Sequence, residues 1–141
     1  PKAAVLAGRQ TRDAYLAATI DRYPAFLFAN QFLGEGGAVL TPDPRTYYLH
    51  PPAFANTAAL EPLVSWPIDR QARWLRKNNI RYVMLPLTYM RETRDFDAIA
   101  PMVHQWRSSP AHFQLITVRD DPRPGGGLDK VEFYRVVDVG E

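Results

Sequence analysis

Asp69-Arg-Gln-Ala-Arg-Trp-Leu-Arg-Lys-Asn-Asn-Ile-Arg-Tyr-Val-Met-Leu-Pro86 reads as a helix running into a buried strand. Asp69 fits the N-cap, where a carboxylate accepts from the free amides of the first turn. Ala72, Trp74 and Leu75 supply an apolar face, and Arg70, Arg73, Arg76 and Lys77 a wet one. Cations near the C-terminal end suit the helix dipole. Asn78-Asn79 is the expected stop, because Asn tolerates the left-handed conformation that ends helices. The run from Ile80 to Leu85 is apolar, β-rich and of strand length. A helix, a tight turn and a buried strand form the second half of a βαβ unit, so the fold class is α/β.

Downstream, 88–97 is charged and has no clear period. Asp97 is placed to cap a helix over 98–107, with Ile99, Met102, Val103 and Trp106 inward and Pro101 near the first turn. Ser108-Ser-Pro110 stops it. The stretch 112–118 reads as a strand, 120–127 as a Pro/Gly loop, and 130–137 as a second, alternating strand. These two strands should pair as an antiparallel hairpin.

Upstream, residues 1–10 read as a flexible tail and 11–20 as a helix carrying Tyr15, Leu16 and Ile20. Tyr23-Pro24 interrupts that helix. Pro24 suits the first turn of a second one, from Ala25 to Leu33. Phe26, Leu27, Phe28 and Phe32 make this second helix apolar on most sides, so burial is predicted. Gly34 to Gly37 ends it. A short strand follows over 38–41, then turn chemistry over 41–45. Tyr47-Tyr-Leu49 reads as a second short strand or an edge. From His50 to Pro67 the chain is Pro- and Ala-rich and reads as a crossover loop, with a helical turn near 58–60. So long a loop implies a task or a partner. The expectation is a single α/β domain over 1–141: a small, mostly parallel sheet flanked by helices, ending in an antiparallel hairpin.

The totals agree with a globular domain, since 141 residues that are 46% hydrophobic and 23% charged can build one core. The net charge of +2 is dispersed, which argues against nucleic acid as a partner. The chain has no cysteine, so disulfides, thiolate metal sites and a thiol nucleophile are excluded. No apolar run reaches the roughly 18–20 residues that span a bilayer. The chain starts at Pro1 rather than Met, and the expectation is a piece of a longer protein.

Catalytic motifs are missing. His50, His104 and His112 lack metal-ligand spacing. The glycine clusters at 34–37 and 125–127 do not stand between a strand and a helix N-terminus, as a phosphate cradle requires. No serine has a nucleophile-elbow context. Asp43, Glu61, Asp69, Glu92, Asp95, Asp97, Asp120, Asp121 and Asp129 would make a catalytic pair only through folding. Asp69 and Asp97 are better explained as caps. Nothing calls for a cofactor or a metal. The most suggestive patch is Asp43, Arg45, Tyr47 and Tyr48, just past a strand end. Arg45 offers bidentate bonding to an anion and the tyrosines offer stacking to a sugar-like ring. The plainer reading is a turn with one tyrosine buried and one exposed.

Several segments together resemble a known family: Arg12 to Leu16, Tyr23 to Asn30, Gly37 to Leu40, Arg45 to Leu49, Trp74 to Val83 and Val131 to Val136. In spacing and hydrophobic type they are similar to the soluble C-terminal domain of bacterial polytopic membrane glycosyltransferases. These are of the dolichyl-phosphate-mannose protein mannosyltransferase class, which uses lipid-phosphate-linked sugars. The catalytic acid of that class lies between membrane helices and has no counterpart here. The resemblance therefore implies an accessory domain, catalytically silent alone, on the extracytoplasmic side of the inner membrane. It would aid acceptor or sugar binding and pack on the membrane-embedded part of the same polypeptide. The other readings are a free-standing small-molecule-binding domain and a protein-interaction module.

Overall fold

The computed structural model describes residues 8, 12–16, 20–34, 36–43 and 45–138, with Tyr47 described by its backbone alone. The elements, after a short helical stretch over 12–16, are α1 (Tyr23–Phe32), β1 (Ala38–Leu40), β2 (Ala53–Phe54), α2 (Ile68–Lys77), β3 (Ile80–Pro86), α3 (Leu87–Glu92), α4 (Ala100–Arg107), β4 (Phe113–Pro122) and β5 (Leu128–Val136). Two 3₁₀ segments, Thr46–Tyr48 and Thr57–Ser65, flank β2. The tail expected over 1–10 lies outside the described residues, apart from Gly8.

Five strands form one mixed sheet in the order β2-β1-β3-β5-β4. Strand β1 runs parallel to both β2 and β3, whereas β5 is antiparallel to β3 on one side and to β4 on the other. The α/β class and the terminal hairpin hold. The predominance of parallel pairing does not, because the antiparallel ladders over 82–86 and 113–122 are longer than the parallel ones. The hairpin forms one side of the sheet, with its first strand, β4, at the edge. Its second strand enters the gap between β3 and β4, and a strand that reverses direction there makes both of its ladders antiparallel.

Alternation along the strands splits the core into two layers. On one face, Leu40, Val83, Leu85, Tyr134 and Val136 pack with Leu75 of α2 and Val103 and Trp106 of α4. On the other, Val39, Met84, Val131 and Phe133 pack with Ala25, Phe26 and Ala29 of α1. Helices therefore cover both sides of the sheet, α2 and α4 opposite α1.

The stretch from 69 to 86 folds as its pattern dictates. Asn79 sits at φ 58, the left-handed stop. Asp69, however, lies inside the first turn: Pro67 is the N-cap, and the Asp69 carboxylate pairs with Arg73 at 3.5 Å. Asp97 is no cap either, since α4 starts at Ala100 after Ile99. Tyr47 to Leu49 is not a strand. Thr46–Tyr48 closes as a 3₁₀ turn, with the Tyr48 amide donating to the Arg45 carbonyl at 3.2 Å. The second strand lies instead at Ala53–Phe54, inside the expected crossover loop. Most of the rest of that loop is the 3₁₀ segment Thr57–Ser65, capped by Asn56, whose side chain accepts from the Ala59 amide at 3.3 Å. Pro62 inside it removes a donor, so the segment shows no α-type period. In α1, Phe26 is buried as predicted but Phe32 is 63% exposed.

Candidate functional site

In an open α/β sheet, ligands gather beyond the carboxyl ends of the parallel strands. Here that position is filled by the chain itself. Asp43 follows β1, Tyr89 follows β3, and Asp129 opens β5. Arg22, at the left-handed N-cap of α1 (φ 65), reaches between them. Its Nε bonds Asp43 Oδ2, its Nη1 lies 3.7 Å from Asp129 Oδ1, and its guanidinium lies 4.4 Å from the Tyr89 ring centre. Arg123, from the hairpin loop, adds Asp129 Oδ2 at 3.8 Å, Glu92 Oε1 at 2.6 Å and Asp21 Oδ2 at 3.6 Å.

Arg22, Asp43 and Asp129 are all buried. Burial pushes the Asp129 carboxyl above the ordinary aspartate range, and the nearby Arg22 and Arg123 only partly offset this. Neither Asp129 oxygen has a hydrogen-bond partner among the described residues. The cluster thus sets two arginines, Arg22 and Arg123, among four carboxylates, Asp21, Asp43, Glu92 and Asp129.

Asp43 and Arg45 belong to this frame. Asp43 Oδ1 accepts from the Arg45 amide at 2.9 Å, and Arg45 Nη1 donates to the Asp21 carbonyl at 3.3 Å. Both thus hold the turn that carries Tyr48. The side chain of Tyr47 lies outside the described residues. Tyr48 points elsewhere, onto α1: its ring meets Tyr23 edge-on, with centroids 5.3 Å apart and planes at 86°.

A hollow of about 420 Å³ opens there, lined by Arg12, Asp13, Tyr23, Leu27, Asn30, Tyr48 and His50. Asn30 ties its walls together. Its Nδ2 donates to the Tyr48 carbonyl at 2.9 Å, and its Oδ1 accepts from the His50 amide at 2.6 Å. Tyr23 donates from its hydroxyl to Asp13 Oδ1 at 2.9 Å. Burial and that hydrogen bond raise the Tyr23 pKa, so the phenol stays protonated. An aromatic wall with an arginine, a carboxylate and an imidazole around it can bind a polar ring.

A second hollow, about 320 Å³, lies between α3 and α4. Leu87, Met90, Phe96, Ala100 and Val103 form its floor, and Arg91, Arg107 and Lys130 bring cations to its rim beside His104 and Asp97. Arg107 is bound to Glu132 at 2.6 Å, and Glu132 also accepts from the Tyr134 hydroxyl at 2.9 Å. Among the described residues no group of three His, Cys, Asp or Glu side chains is placed to hold a metal ion, and no helix is long and apolar enough to cross a membrane.

Of the four residues proposed from the sequence, Asp43 and Arg45 meet at the strand end and Tyr48 serves a separate hollow. Arg22, Tyr23 and Asn30 are not among the proposed site residues, and His50 is weighed only as a metal ligand. One signal for the buried cluster was present in the sequence: Asp129 shares the parity of Val131 and Phe133, so a carboxylate stood on the inward face of β5. Compared with protein-family models, with curated proteins and with solved structures, the chain matches none.

Proposed function

We propose that this chain is an accessory domain of a bacterial membrane glycosyltransferase of the dolichyl-phosphate-mannose protein mannosyltransferase class, silent by itself. It stands on the extracytoplasmic side of the inner membrane and holds a glycan or acceptor for the membrane-embedded part of the same polypeptide. The observation that carries this reading is the Tyr23–Tyr48 hollow, whose aromatic wall and mixed polar rim suit a saccharide ring. The plugged strand ends add support, because the place where an α/β enzyme opens its crevice is occupied by Arg22, Asp43 and Asp129.

Heteronuclear NMR titration with short oligosaccharides and acceptor peptides tests it. Amide shifts confined to Tyr23, Asn30, Tyr48 and His50, weakened about tenfold or more in Tyr48→Ala, are expected, in line with the loss of one stacking ring. Unmoved peaks at those residues end the reading. The α3–α4 hollow favours a second one, a small-molecule-binding domain, through its apolar floor and cationic rim. Shifts at Met90, Val103 and Lys130 with small carboxylates, and none at Tyr48 with sugars, would select it.

A further inference from the structure

Helix α2 keeps a cationic side in solvent, bordered by two indoles that pack partly against the core. Trp66 just before it, then Arg70, Arg73, Trp74 and Lys77, recur at the i, i+4, i+7, i+8 and i+11 spacing of a single helical stripe. Together they line a shallow hollow of about 410 Å³. Arg70, Arg73 and Lys77 are exposed and both indoles are half-buried. The Arg70 guanidinium lies 3.9 Å from the Trp66 ring centre, and Trp74 rests edge-on against Phe54 with centroids 6.1 Å apart. Asp69 pairs with Arg73 at 3.5 Å. Arg70 and Lys77 have no ion-pair partner among the described residues.

We propose that this stripe binds the headgroups of anionic phospholipids. Indoles with one apolar and one wet side settle at headgroup depth. Guanidinium and ammonium groups beside them take the lipid phosphates, and the opposite, core-facing side of α2 (Ala72 and Leu75) fixes the helix flat to the surface. The charge is complementary: the stripe carries three cations against one carboxylate. Nucleic acid fits less well. Stacking on bases needs an open ring face, and Arg70 covers one face of Trp66. The basic stripe is also only about three turns long, roughly 17 Å by the helix rise. This inference stands apart from the glycan reading, since α2 and α1 cover opposite faces of the sheet.

The test is co-sedimentation of the full chain with phosphatidylcholine vesicles and with mixed phosphatidylcholine–phosphatidylglycerol vesicles. Binding to the mixed vesicles alone is expected, with a blue shift of the emission from Trp66 and Trp74 and weakening as salt rises. The double change Arg70→Glu with Lys77→Glu should lower the partition coefficient by about tenfold or more, given what each cation contributes near a charged bilayer. Arg94→Glu, off the stripe, should leave it unchanged. All the replaced side chains are exposed, and circular dichroism checks that the variants fold. Equal binding to neutral vesicles, no binding, or undiminished binding by the double variant overturns the proposal. So does a single-stranded oligonucleotide that competes the protein off mixed vesicles through the same two residues.

Discussion

Two buried carboxylates, Asp129 and Glu132, lie three residues apart on β5 and respond oppositely to their surroundings. Asp129 has two arginines at 3.7–3.8 Å but, among the described residues, no close hydrogen bond to its carboxylate oxygens, so burial dominates and its pKa rises. Burial pushes Glu132 up as well, but hydrogen bonds from Arg107 and Tyr134 outweigh it and hold its pKa below the usual value. The same contact helps drive the Tyr134 phenol up to about 12, after burial. The signs follow from proton linkage. Folded Asp129 binds its proton more tightly than the unfolded chain does, so stability falls as pH climbs through its folded pKa. Asp129→Asn should therefore match the parent in acid and gain on it toward neutral pH. Glu132 contributes stability above its ordinary range and loses it as pH falls through its depressed pKa. Glu132→Gln should be less stable at neutral pH, with the gap closing in acid. Urea melts of both variants across the acid range check the pair, and parallel curves would refute the assignment. Gln71 is a third residue of this kind. It is fully buried, donates to the Leu63 and Trp66 carbonyls at 2.8 and 3.0 Å, and accepts from Trp106 Nε1 at 2.8 Å. Gln71→Leu strands these groups and should cost about 2–4 kcal/mol in chemical denaturation. Nothing in the sequence marked it, because a glutamine between arginines on an amphipathic helix reads as solvent-facing.

Among the elements, those with a strong local period were legible and those made by pairing were not. Helix α2, strand β3 and the hairpin follow from alternation and turn residues that are neighbours in sequence. Strand β2 is two residues long and exists because Val39 and Leu40 of β1 pair with it. The turn Thr46–Tyr48 depends on the Asp43 carboxylate, held in turn by Arg22 from twenty-one positions earlier. Asn79 offers a local check. At φ 58, Asn79→Gly should be neutral or better, while Asn79→Val should cost about 1–2 kcal/mol, the left-handed penalty of a branched side chain. Equal melting temperatures for the two would remove Asn79 as the helix stop. Strand β4 is the outer edge of the sheet, with Leu115, Ile116 and Val118 exposed. The irregularity between Leu115 and Thr117 and the charges from Arg119 to Asp121 keep that edge from being flat and apolar. Ile116→Lys should reduce light scattering on heating and shift stability by less than about 0.5 kcal/mol, as exposed substitutions do. Unchanged scattering would mean that this edge does not seed association.

At the scale of the molecule, the three-layer arrangement separates two surfaces. The Trp66–Lys77 stripe lies on the α2 layer and the Tyr23–Tyr48 hollow on the α1 layer, with the sheet between. The carboxyl ends of the parallel strands carry the ion cluster on the α1 side, and the hollow between α3 and α4 opens beside Leu87 on the other. The linchpin is Arg22. Arg22→Ala leaves Asp43 buried without its cation and should cost about 3–5 kcal/mol, the usual result of breaking a buried pair from one side. A loss below about 1 kcal/mol, read from urea midpoints, would show that the cluster is not holding the layers together. The threading of β5 between β3 and β4 has a further consequence for synthesis. The strand that joins the two halves of the sheet is the last of the five to leave the ribosome. Until it emerges, β1, β2 and β3 can pair with one another, but no ladder links them to β4, so the sheet stays in two parts. Completion of the sheet must wait for residues 128–136, whose ladder with β4 is a local hairpin but whose ladder with β3 closes over a long sequence separation, the slower kind of contact.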